Sequence, residues 1–331
     1  MKKPALKLLT LSLCLTGFMS PLQAVAAQPT QPEVPLIDLA SELEGMKGET
    51  GNSPKPTPVA QPSTAVNPPS KTPAVSKAPS TKAKPQEHAV HWGYSGNEGP
   101  SHWGDLSPKN LSCKEGKNQS PINLKDKTAV STTGLGGLDI YYRDVPLKVI
   151  NNGHTVQVNY PLGSYIKVGG DRYELLQFHF HTPSEHQKDG FNYPMEAHLV
   201  HKDGEGNLAV LGIIFQEGEE NPALNILLSN LPKKVGKLEI HRRASLNPAR
   251  FLPGNTEFYK YSGSLTTPPC SEGVYWMVFK QPIDVSAEQI QKMNELMGDN
   301  ARPVQPNYAR SLLKSWSEPL QEQESQLYEF Y

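Results

Sequence analysis

Two histidine-containing stretches carry the residue types and the spacing that could do chemistry. The first is Gln177–His181, with the sequence Gln-Phe-His-Phe-His, and the second is Glu196–His198. Side chains alternate between the two faces of a β-strand. The first stretch is therefore predicted to turn Gln177, His179 and His181 towards a cavity, while its two phenylalanines face a packed interior.

The same alternation places Glu196, His198 and Val200 on one face of the second strand. Residues 182–194, between the two strands, are rich in Pro, Gly, Asn and Asp, a composition typical of turns and loops. We therefore expect the chain to fold back so that the second strand pairs beside the first. The three histidines then converge on one point.

Three converging imidazoles indicate a metal site. Three neutral imidazoles suit Zn²⁺ and leave its fourth position open for water, the arrangement of catalytic zinc sites. Ordinary histidines with hydrogen-bond partners in a sheet are the alternative. However, His179 and His181 are two residues apart on one strand, and the third histidine, His198, has a carboxylate on the same face two residues earlier. This combination favours a metal site over ordinary hydrogen-bonded histidines. Ligand type alone leaves cobalt and iron open. Ligand imidazoles usually donate their second N–H to a polar partner, and Gln177 and Glu196 are predicted in that role.

Around these stretches the sequence resembles the α-class carbonic anhydrases, over roughly residues 88–316. The motifs that carry the resemblance follow the family's order: His91–Tyr94, Gln119–Ile122, Asn151–His154, Gln177–His181, Ser184–His186, Glu196–His201 and Ser264–Pro269. The implied fold is mainly β (α+β), a large, mostly antiparallel central twisted sheet with short peripheral helices. The implied activity is reversible hydration of CO₂ to bicarbonate and a proton by zinc-bound hydroxide. His179, His181 and His198 would be the zinc ligands.

The resemblance also implies roles for residues around the nucleophile. Thr266 matches the threonine that accepts a hydrogen bond from the zinc-bound hydroxide. A hydroxyl has one proton to donate, so a Thr266 that donates to Glu185 can only accept from the bound group. Thr267 is expected to line the bicarbonate site, with simple turn formation before Pro268-Pro269 as its alternative.

An apolar pocket is expected for CO₂, because this substrate offers no polar group to hold. Val200 shares the face of His198, and the resemblance adds Val210, Leu265 and Trp276 to the pocket wall. Packing in the protein core is an alternative for all four residues, and the two roles are compatible.

Proton export is the other requirement of this reaction. His154 matches the proton shuttle of the family, a role that suits a side chain titrating near neutrality. Tyr94, Asn152 and Gln157 resemble the residues that order the connecting water. Without the resemblance, residues 151–154 would be interpreted as a turn.

Two cysteines, Cys113 and Cys270, remain once a predicted leader has been removed. An even count in an exported protein suggests a disulfide, and two free buried thiols are the alternative. Cys270 directly follows Thr266–Pro269, so a bridge would restrain the loop that carries the active-site threonines. Closing so long a loop implies about 3 to 5 kcal/mol of stabilisation in the chain-entropy model. The resemblance adds that bacterial relatives often carry a cystine at matching places.

The N-terminal quarter differs in composition from the rest. Residues 1–27 combine a basic start, an apolar run Leu8–Met19 too short to span a bilayer, and small residues for cleavage near Ala26/Ala27. These are the features of a secretory signal peptide and predict a periplasmic or secreted protein. Residues 28–86 contain no Phe, Trp or Tyr, and 51–86 contain nine prolines, five lysines and no acidic residue. Residues 28–87 are therefore predicted to be a disordered linker.

A catalytic domain is predicted for 88–316, followed by a polar, acidic tail over 317–331. Short apolar or alternating runs predict strands at Leu138–Tyr142, Thr155–Val158, Tyr165–Val168, Leu208–Phe215 and Val274–Phe279. Helices are predicted at Pro222–Asn230, Ala287–Leu296 and Ala309–Ser315.

The expected partner is a small-molecule substrate, CO₂ or bicarbonate. A formal net charge of −1 gives no strong attraction to nucleic acid. Two further partners are left open: the cell envelope, through the linker lysines, and a second copy of the chain in a homodimer.

Two other functions are weighed against the carbonic anhydrase interpretation. A binding protein on the same scaffold typically lacks a zinc histidine, whereas this chain keeps all three, with Thr266 and Glu185. A zinc esterase would use the same hydroxide and is expected only as a side activity. Relative rates on CO₂ and on an activated ester would separate the two enzymes.

Overall fold

The computed structural model describes residues 90–135 and 137–317. The predicted signal peptide (1–27), the linker (28–87) and all but the first residue of the tail (317–331) lie outside these residues. Their boundaries therefore stay predictions. Within the described ranges, no helix combines the length and the apolar character needed to cross a bilayer.

Short strands dominate the described part of the chain. In chain order they are β1 Asn123–Leu124, β2 Val130–Ser131, β3 Leu138–Tyr141, β4 Val145–Asn151, β5 Val156–Asn159, β6 Tyr165–Val168, β7 Asp171–His181, β8 Gln187–Lys188, β9 Phe191–Asn192, β10 Met195–Lys202, β11 Leu208–Glu217, β12 Glu239–Leu246, β13 Phe258–Ser264, β14 Glu272–Phe279, β15 Ile283–Val285 and β16 Leu313–Lys314. The helices are Trp103–Leu106, Ser112–Glu115, Pro222–Leu228 and Ala287–Met297, with 3₁₀ turns at Gly96–Glu98, Pro108–Asn110, Asp126–Thr128, Thr133–Leu135 and Pro248–Phe251.

One sheet of 13 strands forms the body of the fold. Its main path runs β12-β4-β5-β7-β10-β11-β14-β13-β16-β2, while β6 joins β7, β3 joins β6 and β15 joins β11. The pairs β11–β14, β11–β15 and β16–β2 are parallel, and the other pairs in this sheet are antiparallel. A separate three-stranded sheet has the order β1-β8-β9. The expected fold class, a large and mostly antiparallel sheet with short helices, is confirmed.

Strands β7 and β10 lie side by side near the middle of this sheet. His198 is opposite His179 and Glu196 is opposite His181 in their antiparallel register. Phe178 and Phe180 are fully buried in the larger apolar core. The alternation predicted from the sequence is thus present, with phenylalanines on the core side and histidines on the other. The connection between these strands contains the short β8–β9 hairpin.

Two of the three predicted helices form, and each has a side-chain cap. Asn221 precedes Pro222–Leu228, and its side chain accepts hydrogen bonds from the backbone N–H groups of the first turn. Ser286 precedes Ala287–Met297 and forms a capping box with Gln289. Such caps satisfy N–H groups that the helix itself leaves unpaired.

The helix predicted over Ala309–Ser315 is wrong. This segment contains β16, which pairs with β13 on one side and with β2 on the other. Leu312, Lys314 and Trp316 are buried, whereas the residues between them are half-buried. That period of two is the period of a strand, and pairing with two strands outweighs the weak local preference for helix.

Candidate metal centre

Strands β7 and β10 bring three imidazoles to one place. His179, His181 and His198 each offer a ring nitrogen, and these nitrogens lie within 4.8 Å of one another. The ring centroids are 5.1 Å apart for His179 and His181, 5.3 Å for His179 and His198, and 4.6 Å for His181 and His198. His181 and His198 are buried, whereas His179 is partly exposed.

Each of these rings is held by a polar partner on its other nitrogen. The Gln177 side-chain oxygen lies 2.8 Å from His179 Nδ1. The backbone carbonyl of Asn300 accepts from His181 Nδ1 at 2.8 Å, and Glu196 Oε1 lies 2.9 Å from His198 Nε2. A partner on one nitrogen sets the tautomer and leaves the other nitrogen as the lone-pair donor.

The donor set fits a zinc ion. The partners above leave Nε2 of His179, Nε2 of His181 and Nδ1 of His198 facing a common point. His181 Nε2 is buried and has no hydrogen-bond partner, a costly state unless another group binds that nitrogen. Glu185 Oε2 lies 3.5 Å from His181 Nε2 and 3.8 Å from His198 Nδ1. The Glu185 carboxylate is nevertheless not part of the group formed by His179, His181 and His198, whose ligand atoms all lie within 4.8 Å of one another.

Burial favours the neutral, ligand form of these imidazoles. It lowers the pKa of His181 to about 4 and lowers the pKa of His179 and of His198. A metal can bind only the deprotonated nitrogen. The protein therefore presents the three rings in the protonation state that a metal needs.

Glu196 connects the site to a second layer of polar groups. Its Oε1 lies 2.7 Å from His186 Nδ1 as well as 2.9 Å from His198 Nε2. His186 Nε2 in turn lies 2.7 Å from the hydroxyl of Tyr261. Burial alone would raise the pKa of Glu196. His186 and His198, through electrostatic attraction and hydrogen bonds, instead hold that pKa well below its ordinary value. His186 is thus a hydrogen-bonding residue, as is His201, whose Nε2 lies 2.7 Å from the Tyr142 hydroxyl.

Glu185 lies beside the ring nitrogens of His181 and His198, and Thr266 neighbours Glu185. Thr266 is 5% exposed and Glu185 is 1% exposed. Burial raises the pKa of Glu185 to about 7, while hydrogen bonding from Thr266 and the backbone of Arg302 opposes that rise. The Arg302 N–H donates to Glu185 Oε1 at 2.9 Å. The buried Arg302 guanidinium also donates to Gln119 Oε1 at 2.9 Å and to the carbonyl of Ser120 at 2.8 Å.

The four residues predicted to form an apolar wall lie in one apolar cluster. They are Val200, Val210, Leu265 and Trp276, and all four are buried. Val210 is opposite Val200 across one strand pair and beside Trp276 across the next. The Trp276 and His198 ring centroids are 4.8 Å apart, so this wall adjoins the metal centre. Thr267 is half-buried, and its carbonyl accepts the Cys270 N–H at 2.9 Å.

His154 lies on the turn between β4 and β5. Its ring stacks on Trp92, with centroids 3.9 Å apart and an interplanar angle of 7°, and the Tyr94 ring is 6.2 Å away. Burial, with a smaller contribution from the charge of His91, lowers the pKa of His154 to about 4. Asn152 Oδ1 accepts from the backbone N–H of His154 at 3.0 Å and thereby shapes the turn.

Gln157 is on the face of the sheet that carries His179, since the two residues are opposite each other in the β5–β7 register. Its side-chain amide donates to Asn159 Oδ1 at 2.6 Å. Of the three residues predicted to order water, Gln157 therefore lies nearest in register to the histidines. The Tyr94 ring lies beside the His154 ring. The side-chain oxygen of Asn152 accepts hydrogen bonds from the backbone N–H groups of His154 and Thr155.

The loop with the two threonines is tied down behind the site. Cys113 and Cys270 form a disulfide, which confirms the predicted pairing. Gln119 Nε2 donates to the carbonyl of Cys270 at 3.0 Å. The peptide bonds Ser120-Pro121 and Pro268-Pro269, beside these residues, are cis, as is Thr182-Pro183.

Sequence reasoning missed Asn300 as the partner of His181. The contact uses a backbone carbonyl, which every residue has, and it spans 119 positions. No local signal could have identified it.

Comparison with known proteins gives a consistent set of relatives. A family model described as eukaryotic-type carbonic anhydrase matches residues 98–316. A carbonic anhydrase from Nostoc sp. is 46% identical over 228 residues, which are 68% of this chain and 86% of the relative. One from Neisseria gonorrhoeae is 40% identical over 227 residues, which are 68% of this chain and 88% of the relative.

Solved structures agree with these sequence matches. The α-carbonic anhydrase from Thermovibrio ammonificans in complex with sulfanilamide is 50% identical, with a TM-score of 0.66, over 68% of this chain and all (100%) of that one. A dioscorin complexed with ascorbate is 32% identical, with a TM-score of 0.63, over 68% of this chain and 98% of that one.

Proposed function

Because the chain belongs to the α-class carbonic anhydrase family and is a carbonic anhydrase, we propose that it interconverts CO₂ and bicarbonate on a zinc ion held by His179, His181 and His198. One observation supports this most strongly. Three imidazole nitrogens from two paired strands lie within 4.8 Å of one another, and each ring is fixed by a partner on its other nitrogen.

A bound Zn²⁺ supplies Lewis acidity that lowers the pKa of water to about 7, a property established for carbonic anhydrases as a class, so hydroxide is available at neutral pH. The protein's part is to hold the ion and keep its ligands in place. Gln177, the Asn300 carbonyl and Glu196 orient the three rings. Glu196 is charged, so it also increases the basicity of His198.

Thr266 orients the nucleophile in this proposal. Its single hydroxyl proton is directed to Glu185, so Oγ1 is left only as an acceptor. A nucleophile that carries a proton can donate to it, whereas an anion without a proton cannot. Glu185 stays in position because the Arg302 N–H donates to its Oε1 at 2.9 Å.

CO₂ is held by the apolar wall of Val200, Val210, Leu265 and Trp276. Side chains without polar atoms aimed at the substrate suit a molecule that has no net dipole, and they exclude competing water. The Trp276 indole N–H donates to the carbonyl of Ser264 at 2.9 Å and so is satisfied within the protein. Thr267 lines the site of the product bicarbonate in this proposal.

His154 removes the proton that each hydration releases. The imidazole accepts this proton through water ordered by Tyr94, Asn152 and Gln157 and passes it outward. Stacked on Trp92, the ring has a pKa of about 4, so it holds a proton poorly in that position. Proton transfer at neutral pH is therefore expected to use ring positions with more contact with water.

Metal removal tests the proposal directly. The purified protein is expected to contain one zinc ion per chain by mass spectrometry, and CO₂ hydration should be lost on chelation and restored by zinc. Cobalt and iron are measured in the same sample, because the ligand set does not exclude them. Hydration that persists after verified metal removal would contradict the proposal.

We also propose that the protein is exported to the periplasm or secreted after cleavage near Ala26/Ala27, with residues 28–87 as a linker to the catalytic domain. The disulfide supports this, because such bonds persist in oxidising compartments, and the relatives from Nostoc sp. and Neisseria gonorrhoeae are bacterial. Envelope contact through the linker and homodimer formation are further predictions.

A further inference from the structure

We propose that residues 318–331, here called the tail segment, fold back onto the catalytic domain, and that their aromatic end, Tyr328–Tyr331, occupies a surface groove at the β8–β9 hairpin. The tail segment lies outside the described residues, whereas the groove lies within them. The inference goes beyond the proposed function and does not depend on it, because no residue of the groove has a part in the mechanism above.

The groove, here called the Phe191 groove, is an open cavity of about 410 Å³ beside β8 and β9. Phe191 is 75% exposed, the highest exposed fraction among the large apolar side chains in the described part of the chain. Covering such a ring with another apolar group is favourable, and aromatic partners suit it best. The groove is lined by Lys188, Asp189, Phe191, Asn192, Tyr193 and Pro194.

Ser317, the last described residue, follows a tryptophan that lies close to this groove. Lys280 contacts both places: its carbonyl accepts a hydrogen bond from Lys188 Nζ at 3.2 Å, and its own Nζ lies 4.3 Å from the centroid of the Trp316 ring. Tyr193, from the groove lining, packs against the apolar cluster that contains Trp316. The tail segment therefore begins about one residue's length from the groove.

The length of the tail segment suits this short separation. Tyr328 is eleven residues beyond Ser317, and a flexible chain of that length has a root-mean-square end-to-end distance of about 17–20 Å. The aromatic end can therefore reach the Phe191 groove of its own molecule. A short tether of this kind gives an effective concentration of about a millimolar, which favours the chain's own segment over a second copy.

The charges of the two surfaces are complementary. The tail segment contains four glutamates and no lysine or arginine. The surface between the groove and Trp316 is instead rich in lysines, since Asp126, which lies between two exposed lysines, donates its N–H to Asp189 Oδ1 at 3.1 Å. Its charged residues are the lysines 125, 127, 188, 280 and 314, together with Asp126, Asp189 and Glu257.

Two pairings follow from the chemistry of the groove. We assign the Phe330 ring to the exposed Phe191 ring, because an aromatic pair contributes beyond the area that it buries. We assign the Glu329 carboxylate to Lys188, whose ammonium has three donors and gives one of them to the Lys280 carbonyl. The first pairing supplies apolar burial, and the second fixes the register of the segment in the groove.

Amide hydrogen exchange in the zinc-loaded full chain tests the docking, with protection measured at residues 187–194. Deletion of 318–331, or Phe330→Ser, should speed exchange there about ten-fold, because a segment at about 1 mM effective concentration fills a groove of about 0.1 mM dissociation constant ten times as often as it leaves it empty. Leu320→Ser changes an apolar residue of the same segment outside its aromatic end. This control should exchange as the unmodified protein does.

A synthetic peptide of residues 318–331 tests the groove itself. The peptide should bind the chain that lacks these residues with a dissociation constant of about 0.1 mM by fluorescence anisotropy, and Phe191→Ser in that chain should weaken binding at least about ten-fold. Leu162→Ser is the matched control, since Leu162 is 68% exposed and is absent from the groove lining. Equal CO₂ hydration by both variants would show that each is folded.

A charge exchange tests the assigned ion pair. Lys188→Glu should weaken binding of the peptide about five-fold, as expected for an exposed pair, and a peptide with Glu329→Lys should recover the affinity on that variant. Lys167→Glu, at an exposed position on β6, should bind the unmodified peptide normally. Recovery by the exchanged pair is not expected from a general effect of net charge.

Three results would overturn the proposal. Exchange at residues 187–194 that is unchanged by deletion of 318–331 would show that the tail segment does not dock there. Peptide binding that Phe191→Ser leaves intact would place the segment on another surface. Protection that rises with protein concentration, together with a dimer in sedimentation, would assign the Phe191 groove to a second copy of the chain.

Discussion

In the proposed mechanism, a single residue, Thr266, selects the nucleophile. It is 5% exposed, beside a carboxylate that is 1% exposed, and hydrogen bonding between them opposes the rise in the pKa of Glu185 that burial causes. A buried carboxylate accepts hydrogen bonds and seldom tolerates another acceptor nearby. The proposed mechanism therefore directs the threonine proton to Glu185 and leaves the oxygen lone pairs for the reacting group.

Replacement of Thr266 by valine tests that role while nearly preserving shape. Thr266→Val should lower kcat/KM for CO₂ hydration about 10²-fold, the usual cost of removing one oriented hydrogen bond at a reacting centre. Zinc content should not change, because the three histidines are untouched. Thr266→Ser keeps the hydroxyl and should retain clearly more activity than the valine variant. Stopped-flow hydration and metal analysis measure both; equal losses in the two variants, or zinc loss in either, would refute the assignment.

His154 also makes a prediction about stability in acid. Its folded-state pKa is about 4, below the ordinary value near 6.5, so the folded protein binds this proton less tightly than the unfolded chain. Above pH 6.5 the ring is neutral in both states and contributes no pH dependence. As the pH falls from 6.5 to 4, the unfolded chain is protonated first and stability is lost, by at most about 3 kcal/mol.

His154→Gln should therefore show a shallower loss of unfolding free energy over that pH range. Denaturant titrations at pH 7.5, 6, 5 and 4.5 measure the difference from the unmodified protein, so contributions from other buried histidines cancel. His102→Gln, at an exposed position, should behave as the unmodified protein does. Parallel pH profiles for His154→Gln and the unmodified protein would show that the stacked ring does not resist protonation.

At the scale of strands, much of the site could be predicted because a strand assigns alternate residues to opposite faces. Alternation alone, without tertiary information, places Gln177, His179 and His181 on one face of the strand. In the structure, Phe178 and Phe180 lie on the opposite face, in the apolar core. The order of strands in the sheet could not be predicted in this way, since it depends on pairings between distant segments. Family resemblance supplied the fold class.

Other features lay beyond local patterns for identifiable physical reasons. From its local sequence Glu185 would be interpreted as a surface carboxylate, yet it is 1% exposed. The connection between β7 and β10 places its Oε2 3.5 Å from His181 Nε2. Asn300 acts through a backbone carbonyl, which carries no sequence signal. At Leu313–Lys314, pairing with β13 and β2 determines a strand where the local pattern predicted a helix.

At the scale of the whole molecule, the disulfide makes the stability of the fold depend on an oxidising compartment, where such bonds persist. Cys113 and Cys270 are 157 residues apart, so their bond restrains a large part of the unfolded chain. Hydrogen bonds at both cysteines accompany it: Arg302 donates to the Cys113 carbonyl at 3.0 Å, and Gln119 to that of Cys270 at 3.0 Å. The three histidines proposed to bind zinc are on β7 and β10 and do not depend directly on this bond.

A chain made with its leader should therefore be recovered from the bacterial periplasm starting near residue 28, with no free thiol when denatured without reductant. The variant with both Cys113 and Cys270 changed to serine should lose about 3 to 5 kcal/mol of unfolding free energy, because its unfolded state is no longer cross-linked. Its zinc content should be unchanged, because its histidines are held by β7 and β10. N-terminal sequencing, thiol titration and denaturant unfolding measure these outcomes. Two titratable thiols in the exported protein would contradict the disulfide, and an intact residue 1 in the periplasmic chain would contradict the leader.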